Sequence, residues 1–170
     1  SGTNLGDRVS NTADINLDGG LLDFIGDGTA SSETFGRLDI NGNGLARIKV
    51  TGAGTNDLTF LSVNFANNGS SVDFSQISNL GTSNKVLFTT APGGTAVSFC
   101  VLSRVFIGSD FAEYDVTNGV QAFSAYVPSA SLLTPAATDT VNLTASANIG
   151  NSRAINALRL DDATGFTVGS

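Results

Sequence analysis

The chain has 170 residues, a net charge of −7, and no His, Met or Trp. Its length suits one domain over residues 1–170 with a sizeable core. The acidic balance, with no basic patch to offset it, argues against nucleic acid or an anionic membrane as partner. Lys stands only at Lys49 and Lys85, and Glu only at Glu33 and Glu113, so the residues that favour long helices are scarce. Val, Ile, Phe and Thr favour strands instead, and Gly with Asn favours the turns between them.

In chain order, short alternating segments run through 13–18, 22–24, 38–40, 47–51, 61–65, 72–74 and 86–88. Alternation of period two puts one set of side chains inside and the other in water. Between these segments lie Asp18-Gly19-Gly20, Asn41-Gly42-Asn43-Gly44, Asn67-Asn68-Gly69 and, further on, Asn118-Gly119, all turn sequences that need positive φ. The last inward residues of alternate segments, Leu17, Ile40, Phe65 and Phe88, are 23, 25 and 23 residues apart. The segments between them give Phe24, Val50 and Phe74, 26 and 24 residues apart. Two interleaved ladders that advance at the same step predict a β-solenoid, in which inward residues of successive coils stack on one another. A β-sandwich of hairpins joined by Asn-Gly turns is the structural alternative.

The period breaks over residues 91–135, which predict a longer coil or an excursion packed on the side of the solenoid. This stretch holds the turn Ala91-Pro92-Gly93-Gly94, the apolar run Val97–Ile107, and the segments 111–114 and 120–126. Residues 129–138 read as loop, and strands resume at 141–145, 155–160 and 165–168. Cys100 is alone, so no internal disulfide is available, and with no His to activate it the residue reads as a small apolar side chain. No apolar run reaches membrane-spanning length and no signal peptide is visible. The chain begins at Ser1, which is expected of a processed product or of a segment of something longer.

Several stretches resemble the repeats of autotransporter-associated β-strand proteins, which are large secreted bacterial polypeptides. They are Asp7-Arg8-Val9 with Asp14-Ile15-Asn16-Leu17-Asp18-Gly19-Gly20, then 33–40, 110–115 with Asn118-Gly119-Val120, and 155–160. The resemblance spans most of the chain and fits poorly at 100–107. It implies a right-handed parallel β-helix, export to the cell surface or beyond, and a passenger or fibre role, and it carries no catalytic residues.

Asp14-Ile15-Asn16-Leu17-Asp18-Gly19 matches the start of a calcium loop, as Asp39-Ile40-Asn41-Gly42-Asn43-Gly44 nearly does. The twelfth positions hold Ile25 and Val50 rather than a carboxylate, so no metal site is expected. Asp14 and Asp39, with Arg37 nearby, are the candidate carboxylate pair of a carbohydrate-active β-helix, although outward Asp on stacked strands gives the same pattern. Tyr114 and Tyr126 are candidates for a sugar-stacking platform, against a plain satellite core. The expectation is therefore no catalytic, cofactor or metal site. It is a secreted structural block that associates end to end as a homo-oligomer or filament. An adhesin-like glycan-binding solenoid is the alternative, and a β-helix enzyme the third reading.

Overall fold

The computed structural model describes residues 8–92, 101–128, 135–148, 154–161, 165 and 168–169. All regular elements among them are strands: β1 (Ile15–Leu17), β2 (Leu21–Ile25), β3 (Ala30–Ile40), β4 (Leu45–Thr51), β5 (Thr55–Phe65), β6 (Ser71–Ile77), β7 (Asn84–Phe88), β8 (Val105–Ile107), β9 (Asp110–Asp115), β10 (Gly119–Ala122), β11 (Val127–Pro128), β12 (Thr140–Leu143), β13 (Ala147–Asn148), β14 (Ala157–Leu160) and β15 (Val168–Gly169). The chain divides into two compact units, Ser1–Ala122 and Phe123–Ser170.

In the first unit, strands alternate between two sheets. One is ordered β1-β3-β5-β7, and the other runs β2-β4-β6-β8 and then β9 and β10. Every pairing among β1 to β8 is parallel. A hairpin sandwich would pair sequence neighbours antiparallel. Here neighbours part to different sheets, and each circuit of the chain returns to lie beside the circuit before. The inward residues of both sheets join in one hydrophobic core.

Pairing follows the expected rungs at first and then departs from them. Leu17, Ile40 and Phe65 are in register, and so are Phe24 and Val50. Phe88, however, pairs with Phe60 rather than Phe65. The circuit has lengthened, from 23 residues where Asp14 meets Arg37 to 28 where Asn56 meets Asn84. The added length is the turn 78–83 before β7. Phe74 is buried, but Val50 pairs with Ile77, because the register shifts between Arg47 and Lys49 and β6 carries extra residues opposite them. Such a bulge re-aims the strand while keeping the ladder on either side.

Residues 93–100, including Cys100, lie outside the described residues. The chain is back in the ladder at β8, parallel to β6, and then leaves it through two antiparallel turns, β8 to β9 and β9 to β10. Gly108 opens the first turn with φ 65°, which a two-residue hairpin of this kind requires. Gly54 shows the opposite use of glycine. At φ 80°, a Cβ there would lie 1.6 Å from the Thr29 carbonyl oxygen, so the two circuits touch through backbone.

In the second unit, β11, β12 and β14 form a parallel sheet and β13 pairs in parallel with β15. Its core is small: Val141 and Leu143 are fully buried and are packed by Val127, Ile155 and Leu158. No helix of the described chain is long and apolar enough to cross a membrane.

Candidate functional site

Parallel stacking in register brings like positions of successive circuits side by side, so outward polar residues meet across circuits rather than along the strand. Asp14 Oδ1 accepts the Arg37 backbone N–H at 2.6 Å, and its Oδ2 lies 3.8 Å from Arg37 Nη2. The same guanidinium, through Nε, is 2.8 Å from Asp39 Oδ1, which also accepts Asn64 Nδ2 at 2.7 Å. Asn41 Nδ2 donates to Asn16 Oδ1 at 2.8 Å, and Asn67 Nδ2 donates to the Asn41 carbonyl. On the second sheet, Lys49 Nζ is 2.7 Å from Asp23 Oδ2. Apart from the Arg37–Asp39 pair, which lies within β3, these bonds join residues 23 to 26 apart, one circuit each.

This geometry decides how the singled-out motifs are used. Two residues of the calcium-like motif, Asp14 and Asn16, direct side-chain oxygens at donors of the next circuit. The third, Asp18, lies against Gly42, where a Cβ would come within 2.2 Å of its Oδ1. Ile25, at the twelfth position, is on the exposed side of β2. Among the described residues no group of three or more His, Cys, Asp or Glu is placed to hold a metal ion. Asp14 and Asp39 do come together, but with Arg37 held between them, so the pair grips a guanidinium.

Tyr114 is not on a platform. It is buried in the main core, its ring 5.9 Å from that of Phe88, and its hydroxyl donates to the Phe88 carbonyl and accepts the Phe88 N–H, both at 2.9 Å. It thereby plugs the outer edge of β7. In the second unit, Tyr126 meets Phe123 edge to face at 4.9 Å and lies under the Arg159 guanidinium at 5.5 Å.

Four features give no signal in the sequence. One is the buried stack Ser31, Asn56, Asn84 on β3, β5 and β7. Asn84 Nδ2 donates to the Ser78 carbonyl at 2.6 Å, Asn56 Nδ2 donates to Asn84 Oδ1 at 2.8 Å, and Asn56 Oδ1 has no hydrogen-bond partner. The second is Asp73 at the bulge, which accepts the N–H groups of Ser75 and Gly108 and the Ser75 hydroxyl. Burial works against its charge, but these donors, with the nearby Arg47, outweigh it and hold the carboxyl below its usual pKa. The third is Asp27, whose pKa is lowered by the Thr29 N–H and hydroxyl and by Ser31. The fourth is Arg104, a non-glycine residue at φ 66°, which donates to the Asn67 carbonyl at 3.0 Å and covers the Phe65 ring at 5.8 Å.

What the arrangement does chemically is cross-link one circuit to the next. A comparison with protein-family models, with curated proteins and with solved structures finds no match for the chain.

Proposed function

We propose that this chain is a right-handed parallel β-helix serving as a structural building block of an extracellular fibre or of a surface-displayed, autotransporter-like passenger protein, without a catalytic role. One observation carries the reading: Asp, Asn, Arg and Lys residues of the first unit bond circuit to circuit. Side chains used as staples suit a load-bearing rod. The interleaved parallel ladders support the β-helix, and the resemblance of 7–20 and 33–40 to autotransporter-associated repeats supports export and surface display.

The partner we propose is a second copy, stacked end to end. The sheets of the first unit end at β1 and β2, each paired on one side only among the described strands, and those of the second unit have β14 and β15 among their end strands. A strand edge templates a further strand, and a head-to-tail contact need not close into a ring. Electron microscopy and light scattering of the concentrated protein test this, with unbranched filaments one chain wide expected. A clean monomer would reject the fibre, and a monomer retained on a glycan array would mark an adhesin-like module instead.

A further inference from the structure

The first end of the core in the unit Ser1–Ala122 is closed by a polar clasp. Glu33 belongs to the inward set of β3 and pairs with Leu58, which pairs in turn with Val86. An aliphatic ladder thus carries a carboxylate at its first rung. Glu33 is only 4% exposed. Its Oε2 accepts the Arg8 N–H and its Oε1 the Val9 N–H, each at 3.2 Å. Arg8 Nε stands 4.0 Å from Oε2, while the guanidinium lies 5.9 Å from the centre of the Phe24 ring on β2. Arg8 therefore ties one sheet to the other across the end of the core. From there residues 8–13 run along β3 as far as Gly36, whose N–H donates to the Ala13 carbonyl at 2.9 Å.

Little apolar surface holds this strap, because residues 8–12 are exposed and Ala13 is half-buried. Polar contacts do the holding. When the strap lifts, water reaches the Glu33 carboxylate and replaces both N–H donors, so the net gain on closing is small. Opening also costs the bond from Gly36 N–H to the Ala13 carbonyl, while the β1–β3 pairing from Ile15 onward stays in place. A segment held in this way opens locally, without global unfolding.

We propose that residues 8–13 form a latch with Glu33 as its clasp, and that opening it bares the Phe24 ring and the edge of β3 from Glu33 to Gly36 to a coil of a second copy. A second copy is the fitting occupant, because only a chain with the same two interleaved parallel ladders continues both sheets at once. The docking clause rests on the end-to-end reading above, whereas the latch does not.

Trypsin tests the latch, since it cuts after Arg8 in the strap and after Arg37 and Arg47 in β3 and β4, which serve as internal controls. Glu33→Gln removes the charge, and cleavage at Arg8 is expected to rise about tenfold or more with the controls unchanged. Glu33→Leu guards against misfolding, because it carries the apolar ladder to its first rung. It is expected to melt no lower than the wild type and still to be cut faster at Arg8. A folded Glu33→Leu protein cut at Arg8 no faster than the wild type, or cut at all three sites in step, would overturn the latch. Light scattering of the uncut Glu33→Leu chain reads the docking clause, with larger assemblies than the wild type expected. A freed strap on a chain that stays monomeric would leave the latch standing and reject end-to-end stacking.

Discussion

Tyr114 ends the aromatic row Phe35, Phe60, Phe88, and it is the one ring in that row with a polar atom. Its hydroxyl serves both backbone groups of Phe88, where β7 ends its sheet among the described strands. Tyr114→Phe keeps the ring and strands a buried N–H and C=O, so denaturant unfolding is expected to show a loss of about 1–3 kcal/mol. A loss of only a few tenths would mean that water takes the hydroxyl's place. Asp73 yields a pH prediction of definite sign. Its folded pKa lies below the unfolded one, so its stabilisation is fully present above the ordinary Asp pKa and is lost as pH falls through the depressed value. Asp73→Asn is expected to flatten the acid limb of the stability curve below about pH 4 and to lower stability at neutral pH. Parallel acid limbs in the two proteins would assign the acid sensitivity to other carboxylates. Neither residue's role was legible in the sequence. A carboxylate or phenol at an alternating position looks the same whether it faces water or fills a corner of the core.

The strands were legible wherever the inward residue is apolar. Thus 13–18, 22–24 and 47–51 fall on β1, β2 and β4, but β3 and β5 were seen only in their second halves, around Leu38–Ile40 and Leu61–Phe65. Their first halves turn Ser31, Glu33 and Asn56 inward, and polar residues inside a strand erase the alternation that marks it. The last rung of each ladder, Phe74 and Phe88, is buried on the expected sheet but lies out of the expected register for a related reason. A bulge in β6 and the long turn before β7 change circuit length without changing residue types, so equal spacing misplaced Phe74 and Phe88. Of the candidate site, the meeting of Asp14, Arg37 and Asp39 was legible from spacing, whereas the Asn56–Asn84 stack was not, since Asn reads as a turn residue. That stack makes its own prediction. Asn84→Ala leaves Asn56 Nδ2 and the Ser78 carbonyl without their partner, and equilibrium melts are expected to fall by about 1–3 kcal/mol. Adding Asn56→Ala should cost much less than it does alone, because bonded neighbours are not additive. Additive losses would show that the two amides act separately.

At the scale of the molecule, charge opposes the association that the strand edges favour. Each copy carries −7, with a sequence pI near 4.2, so two approaching chains repel over the range set by screening. That range is about 10 Å at 0.1 M salt and about 3 Å at 1 M. Strand addition at β1 and β2 acts through backbone hydrogen bonds and apolar contact, at distances shorter than either. Leu21 and Ile25 flank Asp23 on the outward side of β2, and Asp23 is already paired with Lys49 of its own chain, so little charge is left there to attract a partner. Raising salt should therefore remove the repulsion and spare the contact. Light scattering of one protein stock across a salt series is expected to show assembly growing from 0.02 to 0.5 M NaCl, values chosen to carry the screening length from well above 10 Å to well below it. Assembly that shrinks with salt would mean that ion pairs between copies make the junction, and would place the interface on the charged rows of β3 and β4 instead of on the open edges of β1 and β2.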